Sequence, residues 1–406
     1  MSKIEELLKL SRIELDRGFD LHRKSIVCDA FGFDPDTAPY TEKMIQKANE
    51  MTSAGKSLEA VQREVTKMRI DEAARNPEAR EHYIGVWRES GVTCIFRTLG
   101  HGQNILAGES GGVFKSIALY NYMADRLGNI VVKAVNAECV ERSKIEGRHC
   151  IIWNFNTPQA IGGGVDVEEE LDWLNWFYMC GIRMMGLTYN LRNFVGDGCT
   201  ERYDSGLSYF GLRVVEGLNE LGIIIDTAHC GHKTTLDAVE ASKDPVVASH
   251  SGCKSVYNHA RSKTDEEIKA IAESGGYIGI YTIPTFIAEM GTIKEFLDQI
   301  DYAVNLVGAD HVAIGTDNGY RTPEPKELTE IYGRTPAKPG VSFWNGFRPE
   351  HRADLHEASE ELRSGSLAWT NWPYFTAGLV SRGYSDQEIQ KIIGGNCLRV
   401  LKRVVG

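Results

Sequence analysis

The sequence predicts an α/β protein of the (β/α)8 TIM-barrel type, with additions after the first and eighth strands. Three observations predict it: short β-branched or apolar runs recur along the chain, stretches of helical period separate most of them, and their number suits a closed barrel. The runs are Ser25–Phe31, Val92–Thr98, Cys150–Phe155, Ile182–Leu187, Ile223–Thr227, Val246–Ser249, Gly276–Tyr281 and Val312–Gly315. Helices with clear apolar faces precede the later runs: LDWLNWFYMCG, GLRVVEGLNELG, TTLDAVEAS, TDEEIKAIAESGG and IKEFLDQIDYAVNLVG. Parallel neighbours need a crossover of a dozen or more residues, so this alternation implies βαβ units and a parallel sheet. At 406 residues the chain suits one large barrel or two or three ordinary domains. The regular repeat from 170 to 317 favours a single barrel over 1–406.

Two segments read as additions to that barrel. Residues 34–89 are rich in Lys, Glu and Ala with helical character, and 319–366 are rich in Pro, Gly and charge. Both follow strand ends, so both are expected over the mouth at the C-terminal ends of the strands. Long loops in compact domains are usually functional, so at least one is expected to form a lid or an intersubunit contact. The chain closes with SDQEIQKIIGGNCLRVLKRVV, in which Ser385 and Glu388 have capping-box spacing.

Composition narrows the partners. With 45 Lys and Arg against 56 Asp and Glu, the net charge of −11 repels phosphate backbones and anionic lipid, so neither nucleic acid nor a membrane surface is expected. No apolar run approaches the roughly 20 residues of a membrane span. The N-terminal MSKIEELLKLSRIELDRGF is a charged amphipathic pattern without the apolar centre of a signal peptide, so a cytoplasmic location is expected. The nine cysteines form no CxxC pair and most lie in apolar runs, which predicts reduced, buried thiols.

Three polar residues fall at strand ends. His229 follows the fifth run in IIIDTAHCGH, His250 ends the sixth in PVVASHSG, and Asp317 follows the eighth in VAIGTDN. In a barrel such positions converge on one mouth, and two imidazoles with a carboxylate suit a divalent metal or a general base. A second polar group, Tyr189, Asn190, Arg192, Asn193 and Asp197, follows the fourth run; it reads equally as a site or as a loop that holds its own shape. Arg261, eleven residues past His250, could fork onto a substrate carboxylate or stand as a solvated loop charge.

These stretches resemble the membrane (renal) dipeptidase family of metallopeptidases, in its bacterial branch. The resemblance is carried by GIRMMGLTYNLRN, GDGC, GLSYFGLRVVEGLNELGIIIDTAHCGHKTTLDAVEASKDPVVASHSGCKSV and HARSKTDEEIKAIAESGGYIGI, then GADHVAIGTDN and GYSDQEIQKIIGGNCLRVL. It implies a (β/α)8 barrel related to the amidohydrolases, with a two-zinc site that cleaves dipeptides bearing a terminal carboxylate. It implies His229 and His250 as ligands of the second zinc, Asp317 as the proton-handling aspartate, and Arg261 as the carboxylate anchor. Tyr189 and Asn190 fall where the family contacts substrate. Members often dimerise, and WLNWF and SFWNGF are apolar enough to contribute to a homodimer interface or to pack in the core.

The first half departs from the family. Where members carry Asp-x-His-x-Asp, this chain reads Asp29-Ala30-Phe31-Gly32-Phe33, and the bridging glutamate falls near Asn154 to Asn156. Phenyl rings cannot coordinate metal. Replacement ligands would have to come from Cys28, Cys94, His101 or Asn154, with His101 the best placed. The expectation is a dipeptidase-like hydrolase of a small carboxylate-bearing amide, with one zinc or other divalent ion, or none. A lyase-like enzyme in the same mouth and a non-catalytic binder with an apolar pocket around Phe31, Phe33, Trp153 and Phe155 stay open.

Overall fold

In the computed structural model, described for residues 2–99, 110–156, 166–289, 291–332 and 365–406, nine strands form one sheet. They are β1 (Cys28–Gly32), β2 (Cys94–Thr98), β3 (Val131–Ala134), β4 (His149–Phe155), β5 (Ile182–Gly186), β6 (Ile224–Asp226), β7 (Val246–Ser251), β8 (Ile278–Ile280) and β9 (Val312–Ile314). Eight run β1-β2-β4-β5-β6-β7-β8-β9, every pair parallel. The two ends of that path meet: Asp317 N donates to Phe31 O at 2.8 Å and Phe33 N to Asn318 O at 2.8 Å. The result is the (β/α)8 barrel, and its eight strands are the eight runs of the sequence.

Strand β3 was not foreseen. It pairs with β4 from His149 to Ile152, whereas β5 takes the same edge from Trp153 onward. Only four residues long and half-buried at Val132 and Lys133, it offers no period to tell it from a loop.

Alternation along the strands sorts the two cores. Cys28, Ala30, Cys94, Phe96, Cys150, Ile152, Met184, Ile224, Val247 and Ala313 fill the barrel, and Cys397, Val400 and Leu401 of the last helix join them. That helix sits at the N-terminal strand ends, where Asn396 Nδ2 donates to Ala309 O and Val312 O at 2.7 and 2.8 Å. The intervening residues, among them Ile95, Ile151, Trp153, Phe155, Ile225 and Ile280, pack under the helices. All nine cysteines are free thiols, six of them buried. Ser385 and Glu388 form the capping box, each accepting the other's backbone N–H.

Asp29 locks the barrel shut. Fully buried, it accepts from Thr316 N at 2.8 Å, Thr316 Oγ1 at 2.6 Å and Trp369 Nε1 at 3.1 Å. Burial nevertheless pushes its carboxyl up to about 7.

Between β1 and β2 lie helices Glu42–Ser53, Leu58–Arg75 and Pro77–Ser90. Met44, Ala48, Val61 and Val65 pack on Leu328 and Tyr332, from the segment after β9, in a small separate core. Buried Arg69 ties the same segments through Ala38 O, Thr322 Oγ1 and Asp36. Most of 319–366, including SFWNGF, lies outside the described residues. No described helix is long and apolar enough to cross a membrane.

Candidate active site

The site begins with a bulge in β7. The register between β7 and β8 shifts between Ala248 and Ser251. Ser249 O lies so close to Gly279 and Gly315 that a Cβ on either would stand 1.9 Å from it, so only glycine lets β7 come in. Bulges re-aim side chains. Ala248 packs outside the barrel, and His250, two residues on, is instead fully buried with its ring flat on Phe31, centroids 3.7 Å apart.

Asp226 fixes the end of β6 against this bulge, accepting from Ala228 N at 3.0 Å and Ser249 N at 2.8 Å. The turn that follows delivers His229, whose Nε2 lies 2.9 Å from His250 Nε2. The outer nitrogens are both engaged. His229 Nδ1 is 2.7 Å from Asn190 Oδ1, and His250 Nδ1 is 2.7 Å from Ser249 Oγ. Ser249 gives its own proton to Asp226 Oδ2 at 2.5 Å, so its oxygen accepts from His250. Asn190 Oδ1 also takes the Cys199 thiol at 3.7 Å, which supports the orientation in which it accepts from His229. Both Nε2 lone pairs therefore face each other. Burial, and then the Arg261 charge, hold both imidazoles well below the ordinary histidine value, so they are neutral.

Asp317 adopts a left-handed backbone, φ 50°, a conformation that Asp tolerates better than most residues. Burial pushes its carboxyl up to about 7, against the pull of Arg261. Arg261 itself is buried, not solvated. It donates to Ala228 O and, at 2.9 Å, to His250 O, while its Nε has no partner. Among the described residues no carboxylate pairs with it directly, although its charge acts on Asp317 and Asp226.

The second polar group divides. Tyr189 stacks on His229 at 4.3 Å, and Asn190, φ 58°, orients the same ring. Arg192 pairs with Asp197, and Asn193 bonds Leu187 O, Val195 N and Gly196 N, which shapes the loop. Asp226 and Ser249 were not singled out in the sequence; their signal is an Asp three residues before one histidine and a Ser directly before the other.

Several expectations are corrected. Trp153 and Phe155 point away from the mouth, where Trp153 takes the Lys133 ammonium at 4.2 Å and Phe155 packs on Phe177. Cys28 and Cys94 lie at strand starts, in register with each other and with Cys150, too deep to replace mouth ligands. Phe33 sits under two guanidinium groups, Arg97 and Arg321, each 5.3 Å from its ring. His101 lies outside the described residues.

Among the described residues the donor set does not fit a two-metal centre. Among the described residues no three His, Cys, Asp or Glu side chains are grouped so as to hold a metal ion. What survives is the facing pair His229 and His250, two donors where catalytic zinc sites use three.

The structure is thus a parallel eight-stranded barrel with two imidazoles, a carboxylate and a guanidinium toward one mouth. The chain belongs to the membrane dipeptidase family, peptidase family M19, whose model matches residues 116–332. Members of that family are metallopeptidases. The chain is 30% identical over 223 residues to an uncharacterized protein in the pqqA 5′ region of Klebsiella pneumoniae, covering 76% of its length. It is 29% identical over 188 residues to an uncharacterized dipeptidase of Schizosaccharomyces pombe, covering 45% of that relative's length. In fold it is similar to a Pseudomonas aeruginosa amidohydrolase, with TM-score 0.67, 24% identity, and coverage of 96% of this chain and 99% of that one. A Rhodobacter sphaeroides metallo peptidase, solved with a phosphinate mimic of L-Ala-D-Ala, shares the fold at TM-score 0.62 and 19% identity, over 82% of this chain and 96% of that one.

Proposed function

We propose that this chain hydrolyses an amide bond in a small, carboxylate-bearing, dipeptide-like substrate. The observation that carries this reading is Arg261, a buried guanidinium with no carboxylate partner among the described residues, set beside neutral His229 and His250 and near Asp317. A substrate carboxylate supplies the missing charge. Asp317, titrating near neutrality, takes a proton from the attacking water as the new C–O bond forms, then returns it to the amine nitrogen as the C–N bond breaks. Tyr189 and Asn190 line the substrate's place while holding His229 in one orientation. His229 and His250 would hold one divalent ion at most, zinc first among the candidates, which when bound supplies Lewis acidity at the mouth.

The missing donors at Phe31 and Phe33 favour one second reading, a different small-molecule reaction in the same mouth. Amine release from a panel of dipeptides and N-acyl amino acids, measured with metal content by inductively coupled plasma analysis, separates the two. Silence across the whole panel sinks the hydrolase. If WLNWF contributes to a homodimer, exposed Trp176 is the residue of that segment it would cover, since Leu174 and Phe177 are buried in the core.

A further inference from the structure

Asn154 stands at the C-terminal end of β4, on the same inner face as Cys150 and Ile152 and opposite Met184 of β5. It is fully enclosed, yet neither its Oδ1 nor its Nδ2 has a hydrogen-bond partner. Buried polar groups in folded proteins are almost always paired, and one left unpaired is costly. Leucine has the same branched heavy-atom outline, somewhat bulkier, without that cost, so packing alone does not account for an amide here. Nor is Asn154 alone. Asn156 Oδ1, Asn190 Nδ2 and Arg261 Nε are also buried without partners, and their strands and loops border the same mouth. Unused donors and acceptors gathered at one mouth are the complement of a polar ligand.

We infer that Asn154 is a specificity-determining residue whose carboxamide oxygen, Oδ1, accepts from the N–H of a substrate amide, while Nδ2 donates to a second acceptor of the same ligand. The inference rests on the reading of this mouth as one that takes amides. The N–H and C=O of a trans peptide point to opposite sides, so one carboxamide atom meets one of them, and Oδ1 can only accept. An amide has an N–H to give Oδ1; an ester has none, and a carboxylate has none either. Being uncharged, Asn154 neither attracts a cation nor competes with Arg261 for the substrate carboxylate. A site built to bond an N–H rejects the analogue that lacks it, because its own buried groups then stay unpaired.

The test uses the full chain, L-Ala-D-Ala, and the ester analogue in which the amide N–H is replaced by oxygen. Binding is read by calorimetry for wild type, Asn154→Leu and Asn154→Asp, and thermal midpoints are read without ligand. Wild type should prefer the amide by at least about tenfold. Asn154→Leu should abolish the preference and keep or raise the midpoint. Asn154→Asp, which accepts but no longer donates, should retain part of it. Equal binding of amide and ester by wild type, no binding of either, or a lowered midpoint in Asn154→Leu with the preference intact would each overturn the inference. Product formation in the same samples separates the two levels. Preference without turnover removes the hydrolase reading and keeps Asn154, whereas turnover indifferent to Asn154 does the reverse.

Discussion

Ser249 stands between Asp226 and His250, giving its proton to Asp226 Oδ2 at 2.5 Å and accepting from His250 Nδ1 at 2.7 Å. A histidine's working nitrogen is set by what its other nitrogen touches. Ser249→Ala removes that hold, so kcat/KM should fall about 10–100-fold while the fold persists. Steady-state kinetics with a circular dichroism melt check this; an unchanged rate would show that the tautomer is fixed by other means.

Asp317→Asn should lower kcat by roughly 10²–10⁴-fold, the usual contribution of a positioned acid–base group. The pH profile follows from the raised carboxyl. Below about 7 Asp317 is protonated and cannot accept a proton, so kcat/KM should drop as pH falls through that value. A rate that stays level down to the ordinary carboxylate range would remove Asp317 from the role of base.

Arg261→Met should raise KM for carboxylate substrates far more than it lowers kcat. It should also destabilise the fold, because Ala228 O and His250 O lose their donor, at about 1–3 kcal/mol for buried groups left unpaired. Equal KM values for carboxylate substrates and their amidated counterparts in wild type would contradict the anchoring role.

Restoring the family residues at two positions should not restore the metal centre. Phe31→His with Phe33→Asp sets a carboxylate between Arg97 and Arg321, which will pair with it, and leaves no carboxylate from Asn154 to Asn156, near which the resemblance puts the bridging glutamate. Zinc per chain should stay unchanged in this double variant and rise only when Asn154→Glu is added. A second zinc in the double variant would show that the guanidinium groups yield.

Buried His22 is bonded to Thr376 Oγ1 and Ser90 O, and burial lowers it to about 4. The unfolded chain binds this proton below about 6.5 and the folded chain does not, so stability is lost as pH falls from 6.5 toward 4, by roughly 1.4 kcal/mol per unit. Asp29 works in the opposite sense over much of that range, since its raised carboxyl holds a proton that the unfolded chain releases. The His22 share is therefore isolated by comparison with His22→Gln, whose urea midpoint should fall less between pH 7 and pH 5. Parallel losses in the two proteins would contradict it.

The barrel was legible because its strands are buried on both faces and so appear as short apolar runs between helices. The strand-end rule also brought His229, His250 and Asp317 into view. Sequence parity alone would turn His250 outward with Ala248; the bulge that reverses it depends on Gly279 and Gly315, far along the chain. From its own neighbours in sequence Arg261 read as a carboxylate fork or as a solvated loop charge, and its burial had no local signal, because the carbonyls it bonds come from elsewhere in the chain. The unpaired state of Asn154 had no sequence signal, since it is defined by what surrounds the side chain.

The Asp29 lock sets the order in which this chain can finish folding. Its donors lie 287 and 340 residues downstream, at Thr316 and Trp369. At roughly 5–20 residues made per second, β1 waits tens of seconds for them. Throughout that wait the edge of β1 destined for β9 stays open to any other strand, and the Asp29 carboxylate, still ionised and hydrated, keeps that edge in water. Synthesis that halts before Val312 leaves an open sheet rather than a smaller barrel, and synthesis that halts between Asn318 and Trp369 leaves Asp29 with the Thr316 donors alone.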